Sequence, residues 1–304
     1  MRRSFLEKLA RYSDDYSAEC LVPTGSFSQG CSVADHRKMC EEFDYHVYPL
    51  SWFDDETPQR RVFLSAYYID RYPITNAQFA LFVLETGYET VAEQSEGGLV
   101  FTRRGWEWVR GACWYRPTGP RSSVGRRQYH PVCQISWRDA HSYAAWRSKR
   151  LPTESEWEKA CRGTDGRRWP WSNEWKPGVC GSVEYHAKAN FNTREEWRNW
   201  WESVYRPHLT FTKPVGSYPR SVSVYGIHDM VGCLYQWVED WYGPYSRKAT
   251  YRGEYGYFLG RNTLKVVRGG CWMNFKFQVR TCERMASAPL VSTFVHGFRC
   301  ARTA

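Results

Sequence analysis

The sequence predicts an α+β fold assembled from short elements and long connections. Three observations carry that expectation. Helix starts are marked by caps, at Thr75 with Gln78, Ser136 with Asp139 and Thr153 with Glu156. Runs of β-branched and aromatic residues, such as 61–70 and 235–241, read as strands. The 23 glycines and 15 prolines are scattered along the chain, which breaks up long regular structure.

In chain order, residues 1–20 read as an N-terminal appendage. Phe5, Leu6, Leu9 and Tyr12 lie near helical spacing there, so the stretch is either a short amphipathic helix or a frayed end. Residues 21–304 read as one domain. Leu21 to Phe27 is a short strand with a turn, 31–60 is polar and irregular, and 61–70 is a single strand. The helix capped by Thr75 carries a staple of Ile74 and Phe79, buries Phe79, Phe82 and Val83, and ends at Gly87. Residues 88–130 are rich in Trp, Arg and Gly. Trp106, Trp108, Trp114 and Tyr115 there either line a groove or fill the core. Two capped helices joined by Arg150-Leu151-Pro152 follow; Ala140, Tyr143, Ala144 and Trp146 face inward on the first, and Trp157, Ala160 and Cys161 on the second. Beyond 163 regular helix largely stops, apart from a short Trp- and Glu-rich helix at 193–204.

Aromatic residues make up 17% of the 304, with 16 Trp, so large flat side chains can build the core. The net charge of +10 allows an acidic partner, but no Lys/Arg run or nucleic-acid motif supports nucleic-acid binding. No stretch approaches the ~18–20 apolar residues of a membrane span, and the N-terminus lacks the apolar core of a signal peptide. Eleven cysteines, an odd number outside CxxC spacing, fit buried reduced thiols in a cytoplasmic protein rather than a disulfide framework.

The C-terminal forty residues organise the chain. Val267-Arg268-Gly269-Gly270-Cys271-Trp272 runs from an apolar strand into two glycines, where the backbone must turn or approach another backbone closely. Asn274 to His296 has neither helical nor alternating period and reads as a loop-rich surface between fixed strands.

Several segments together resemble the formylglycine-generating enzyme (sulfatase-modifying factor) family. They are Ile69 to Phe79, His130-Pro131-Val132, Ser136 to Ala140, Lys149-Arg150-Leu151-Pro152-Thr153-Glu154-Ser155-Glu156-Trp157-Glu158, Trp169-Pro170-Trp171, Tyr225 to Gly232, Arg268 to Trp272 and Gly297-Phe298-Arg299. They follow the family's order, and the resemblance covers about residues 21–302. The resemblance implies an irregular α+β fold with a C-type-lectin-like core.

Oxidising members of that family hold Cu(I) with two cysteines five residues apart, since soft thiolates select that ion. The resemblance places those positions at Asn274 and near Val279, where neither residue is cysteine. No catalytic residue is therefore assigned; Cys271 and Cys282 are the nearby thiols such chemistry could use. The family's calcium loop reads Gly232-Cys233-Leu234-Tyr235-Gln236-Trp237 and has lost an Asn and a Glu, so calcium is not expected either. The eight histidines show none of the HxxxHxE spacing that the related sulfoxide synthases use for iron. Where family members form disulfides, the cysteine after the capped helix pairs with one near the Arg-rich strand. That implies Cys161 and Cys282 lie close together, with Cys300 unpaired.

The leading expectation is a non-catalytic binding or assembly module that takes a protein partner or ligand on a surface of Trp272, Asn274, Phe275, Lys276, Phe277, Gln278, Glu283 and His296. The alternatives are an oxygen-dependent oxidoreductase converting cysteine to formylglycine, a retroelement-diversified variable protein, and a subunit of a larger complex. Gly297-Phe298-Arg299 is compatible with the variable proteins, but Met273, Lys276 and Gln278 are not residues that adenine mutagenesis of Asn codons readily yields.

Overall fold

Short elements and buried charge, more than long helices, hold this chain together. The computed structural model describes residues 3–42, 50–191, 193–206, 211–246 and 262–304. The N-terminal helix α1 (Arg3–Ala10) forms, and it is no loose appendage: Leu6 and Leu9 are buried against α3 (Asn76–Thr86). The stretch expected to be irregular holds α2 (Val33–Glu42) and a 3₁₀ turn (Leu50–Glu56).

The run at 61–70, expected to be one strand, divides into β3 (Arg60–Leu64) and β4 (Tyr67–Asp70). β3 pairs with β2 (Gly25–Gln29) and β4 with β1 (Glu19–Val22), so the chain changes sheets at Ser65-Ala66. There the Ala66 amide donates to Thr24 Oγ1 at 2.9 Å instead of a ladder carbonyl. β11 (Ala301–Thr303) completes the β1-β4-β11 sheet.

The second sheet positions the site. Its order is β10 (His296–Phe298), β7 (Tyr235–Trp241), β8 (Lys265–Arg268) and β9 (Arg284–Ser287). β10 lies parallel to β7, with His296 opposite Tyr235. A separate hairpin, β5 (Gly97–Thr102) and β6 (Gly105–Arg110), flanks it, and Leu99 bridges to Thr293. After β8 the two glycines take left-handed φ values of 93° and 67°. A Cβ on Gly270 would stand 2.6 Å from the Gln278 carbonyl, so the backbone can fold under itself only with glycine there.

The capping boxes form as the sequence predicts, at Thr75 for α3, Ser136 for α5 (Trp137–Trp146) and Thr153 for α6 (Glu154–Arg162). Gly87 closes α3 in the left-handed conformation, and the short α4 (Val91–Gln94) follows it. Beyond 163, α7 (Val183–Ala187) and α8 (Arg194–Val204) are the helices of the described residues. Trp114, Trp157, Trp169, Trp237 and Trp272 are fully buried. Each removes enough apolar surface from water to contribute about 3 kcal/mol or more.

The expectation that Asn274 to His296 forms a surface is corrected by burial: Phe275, Phe277, Val279, Arg280, Glu283 and Arg284 are all inside. The cause is ionic. α6 presents Glu154 and Glu158 to the interior. Arg268 on β8 donates to Glu158 Oε2 at 2.6 Å and to Glu154 Oε1 at 3.2 Å. Arg284 on β9 grips both oxygens of Glu154 at 2.7 and 2.9 Å. Arg162 reaches Glu158 at 3.1 Å, and Arg280 forms a two-pronged pair with Glu56 at 2.6 and 2.7 Å. Burial raises the Glu154 carboxyl, but the Arg284 and Arg268 charges outweigh burial and hold it below its ordinary range.

Removing one member of such a network leaves its partner charged and dry. Arg268→Met is expected to lower unfolding free energy by about 3–5 kcal/mol in urea titration. Arg110, in the exposed pair with Glu96, serves as the control; Arg110→Met should change it by less than about 0.5 kcal/mol.

Candidate functional site

The turn after β8, the end of β9, β10 and the β5–β6 hairpin surround a cavity of about 410 Å³. One wall is apolar, with Leu99, Phe101, Trp106, Trp197 and Met285. The facing wall carries Cys271, Asn274, Gln278, Glu283 and His296. Trp106 is half exposed and stands at the rim.

Of the residues expected to form a binding surface, Asn274, Gln278, Glu283 and His296 meet in this cavity. Trp272, Phe275 and Phe277 do not; they belong to the core, for an indole and two phenyl rings gain more by packing than by facing water. Trp272 stacks on Trp201 at 5.8 Å, and Phe275 stacks on Phe277 at 5.5 Å. Lys276 lies outside the cavity, with its amide donating to Glu184 at 2.8 Å. Trp106 was readable from sequence as a groove residue, whereas Phe101, Tyr235 and Trp197 were not singled out as cavity residues. They come from a hairpin, a strand and a helix far apart in the chain, and only tertiary packing brings them together.

Arg284 also lines the cavity, with its charge paired to Glu154, and the rest of the polar wall is uncharged. Glu283 is buried, and burial, reinforced by the nearby Glu56 and Asp55 carboxylates, pushes its carboxyl up to about 8 against the pull of Arg268 and Arg280. Those two arginines are already committed to Glu154, Glu158 and Glu56. At neutral pH Glu283 therefore carries a proton. Tyr235 Oη donates to its Oε1 at 3.3 Å, and Oε2 has no hydrogen-bond partner. Burial lowers His296 to about 3, so the imidazole is neutral; its ring packs edge-on to Trp237 at 4.8 Å and its Nδ1 is also unpartnered. Cys271 is held up at about 12, mainly by burial, and stays a thiol. A neutral acid, a neutral imidazole and two amides against an aromatic wall suit an uncharged group that can exchange hydrogen bonds.

The two candidate thiols do not meet. Cys271 lines this cavity, while Cys282 lines another and is engaged by Cys31 and Glu56. The thiol facing Cys282 is thus that of Cys31, not of Cys161 as the resemblance implied; Cys161 is packed among Trp157, Ile227 and Val266. The ten described cysteines are all buried free thiols, Cys300 among them.

The residues at the copper positions do not fit copper. Asn274 offers an amide oxygen that already accepts from the Cys271 backbone N–H at 2.7 Å, and Val279 is a fully buried alkyl group with no donor atom. Cu(I) asks for two soft ligands. In the loop that the resemblance aligns with a calcium site, Gln236 is fully used by the protein. Its Oε1 accepts from Arg299 at 2.6 Å and Trp157 at 3.0 Å, and its Nε2 donates to the Asp229 carbonyl at 2.8 Å.

Fold and cavity together define an irregular α+β scaffold whose C-terminal half builds a binding pocket. Residues 7–304 match the sulfatase-modifying factor enzyme 1-like domain, and the chain belongs to this FGE-sulfatase family. It is 35% identical to a formylglycine-generating enzyme of Streptomyces coelicolor, covering 93% of this chain and 88% of that protein. It is also 29% identical to the inactive C-alpha-formylglycine-generating enzyme 2 of Mus musculus, over 93% and 85% of the two chains. Among solved structures, PvdO from Pseudomonas aeruginosa superposes with a TM-score of 0.61 at 24% identity, covering 94% of each chain, which shows the shared fold. The family thus includes both formylglycine-generating enzymes and proteins named as inactive. No helix among the described residues is long and apolar enough to cross a membrane.

Glu283 makes stability depend on pH. Its folded value of about 8 lies above its ordinary 4.5. The folded state therefore binds the proton more tightly, and this contribution is full below the ordinary value and lost as pH rises through the folded one. Glu283→Gln should gain stability relative to the unaltered chain between about pH 5 and pH 9, read as the difference between two urea-unfolding series. Parallel pH profiles for the two proteins would contradict a protonated Glu283.

Proposed function

We propose that this protein is a non-catalytic binding member of its family, using the cavity lined by Asn274, Gln278, Glu283 and His296 to hold an uncharged group of a ligand or protein partner. The observation that carries the reading is that the two positions the resemblance assigns to copper thiols hold an amide engaged by the Cys271 N–H and a buried valine. The cavity supports it as well. A volume of about 410 Å³ accepts an aromatic side chain or a small molecule, and apart from Arg284, which is paired with Glu154, its polar wall offers uncharged donors and acceptors. No copper and no calcium is assigned to the protein on this reading.

A copper-independent oxidoreductase is the second reading. It is favoured by the Cys271 thiol, which lies within the electrostatic reach of Glu283 in the same cavity. A carboxyl poised near neutrality is suited to proton transfer.

One pair of measurements separates the readings. Incubated with oxygen and a cysteine-containing peptide, with and without Cu(I), the protein is expected to form no peptide aldehyde by mass spectrometry and to consume oxygen no faster than the protein-free control. Aldehyde formation, or oxygen uptake that Cys271→Ser abolishes, would overturn the binding reading. In ligand-observed NMR, neutral aromatic fragments should bind the unaltered chain, and Met273→Trp, which fills the cavity, should weaken them at least about tenfold.

A further inference from the structure

Away from the cavity just described, three elements bring two thiols and a carboxylate to one buried point. Cys31 precedes α2, Glu56 ends the 3₁₀ turn, and Cys282 precedes β9. All three residues are buried, and their ligand atoms lie within 4.8 Å of one another. Cys282 Sγ stands 3.2 Å from Glu56 Oε2. In a tetrahedral zinc site with ~2.3 Å bonds, two sulfurs lie ~3.8 Å apart, so little closing is needed. His36 on α2 stands outside that 4.8 Å cluster, but its Nε2 is buried with no hydrogen-bond partner, so a side-chain rotation toward the ion would supply a fourth ligand. His36 is close enough for its charge to act on the Glu56 carboxyl. A second cavity, of about 590 Å³, reaches both sulfurs and gives an ion a path in.

We propose that Cys31, Cys282 and Glu56, with His36 as fourth ligand, form a structural zinc site that ties the N-terminal α2 region to the C-terminal strand β9.

Charge balance selects the ion. Arg280 already neutralises Glu56, donating to both carboxylate oxygens at 2.6 and 2.7 Å. The same guanidinium donates to Cys282 Sγ at 3.1 Å, an outer contact that steadies a thiolate. A divalent ion that displaces the two thiol protons adds two positive charges and two negative ones, so the buried point stays neutral. Cu(I) with both thiolates would leave one uncompensated negative charge in a dry place. Calcium and magnesium require several oxygen ligands, and a single carboxylate is present. Two thiolates, one imidazole and one carboxylate are a zinc donor set, closed by protein as in structural rather than catalytic sites. This site shares no lining residue with the binding cavity, and the inference stands apart from the function proposed there.

The test uses the full chain, reduced and stripped with a chelator, titrated first with Co(II) and then with Zn(II). The expected result is one equivalent of cobalt with tetrahedral ligand-field bands and thiolate-to-cobalt charge transfer. Zinc should displace the cobalt, about two protons should be released per ion, and the melting temperature should rise. Cys31→Ser/Cys282→Ser should lose the charge-transfer band and at least about 100-fold in affinity, while circular dichroism reports that it folds. His36→Ala should weaken binding by about 10–100-fold. An unchanged affinity in His36→Ala would overturn the four-ligand site. A reduced chain that takes up no cobalt, or a double variant that keeps the bands, overturns the site. So does a Cys31–Cys282 disulfide whose reduction yields no metal binding.

Discussion

The pairing of α6 carboxylates with arginines from the C-terminal strands is the interaction on which the rest depends. Glu154 and Glu158 leave the capping turn of Thr153 pointing inward, where an unpaired carboxylate would be very costly. Arg268 and Arg284 answer them from β8 and β9, and Arg162 answers from the same helix. Because a guanidinium binds a carboxylate along fixed directions, the contact sets the angle between helix and sheet as well as holding them together. Arg268 also lies over the Trp157 ring at 5.2 Å, so the ionic layer rests on an aromatic one. An arginine-rich loop that polarity alone would send to the surface is drawn into the interior, and the cavity forms where that loop turns back.

Neutral side chains hold the turn that leads into β7. Cys233 takes a left-handed φ of 61°, a conformation that asparagine adopts far more readily than cysteine. Gln236 links Trp157, Arg299 and the Asp229 carbonyl. A scaffold of this kind can exchange the chemistry of its site without losing its frame, which agrees with a family whose members are named both as enzymes and as inactive proteins.

Local signals were legible in the sequence wherever they are written in a few adjacent residues. The caps at Thr75, Ser136 and Thr153, the αL stop at Gly87 and the tight turn at Gly269-Gly270 fall where residue chemistry places them. The division of 61–70 into two strands was hidden, because it depends on which sheets accept each half. The candidate site was half legible. Asn274, Gln278, Glu283 and His296 were named, but alongside Trp272, Phe275 and Phe277, whose rings turn the other way. Polarity without period looks the same in a solvated loop and in a buried ion-pair layer. What separates them is the set of glutamates on α6 and at the end of the 3₁₀ turn, more than a hundred positions upstream in the chain. The meeting of Cys31 with Cys282 was hidden for the same reason.

The last residues of the chain supply parts that the first residues lack. β11 is the third strand of the sheet begun by β1 and β4, and Ala301 also exchanges backbone hydrogen bonds with Arg150. Arg299 caps the carbonyls of Asp70, Arg71, His228 and Asp229 with one guanidinium. Until residues 299–303 dock, those four carbonyls lack this partner and β4 keeps an open strand edge. A folding intermediate built from the preceding residues alone leaves that edge uncovered. The native state therefore rests on contacts of very large sequence separation, which is the regime of slow folding.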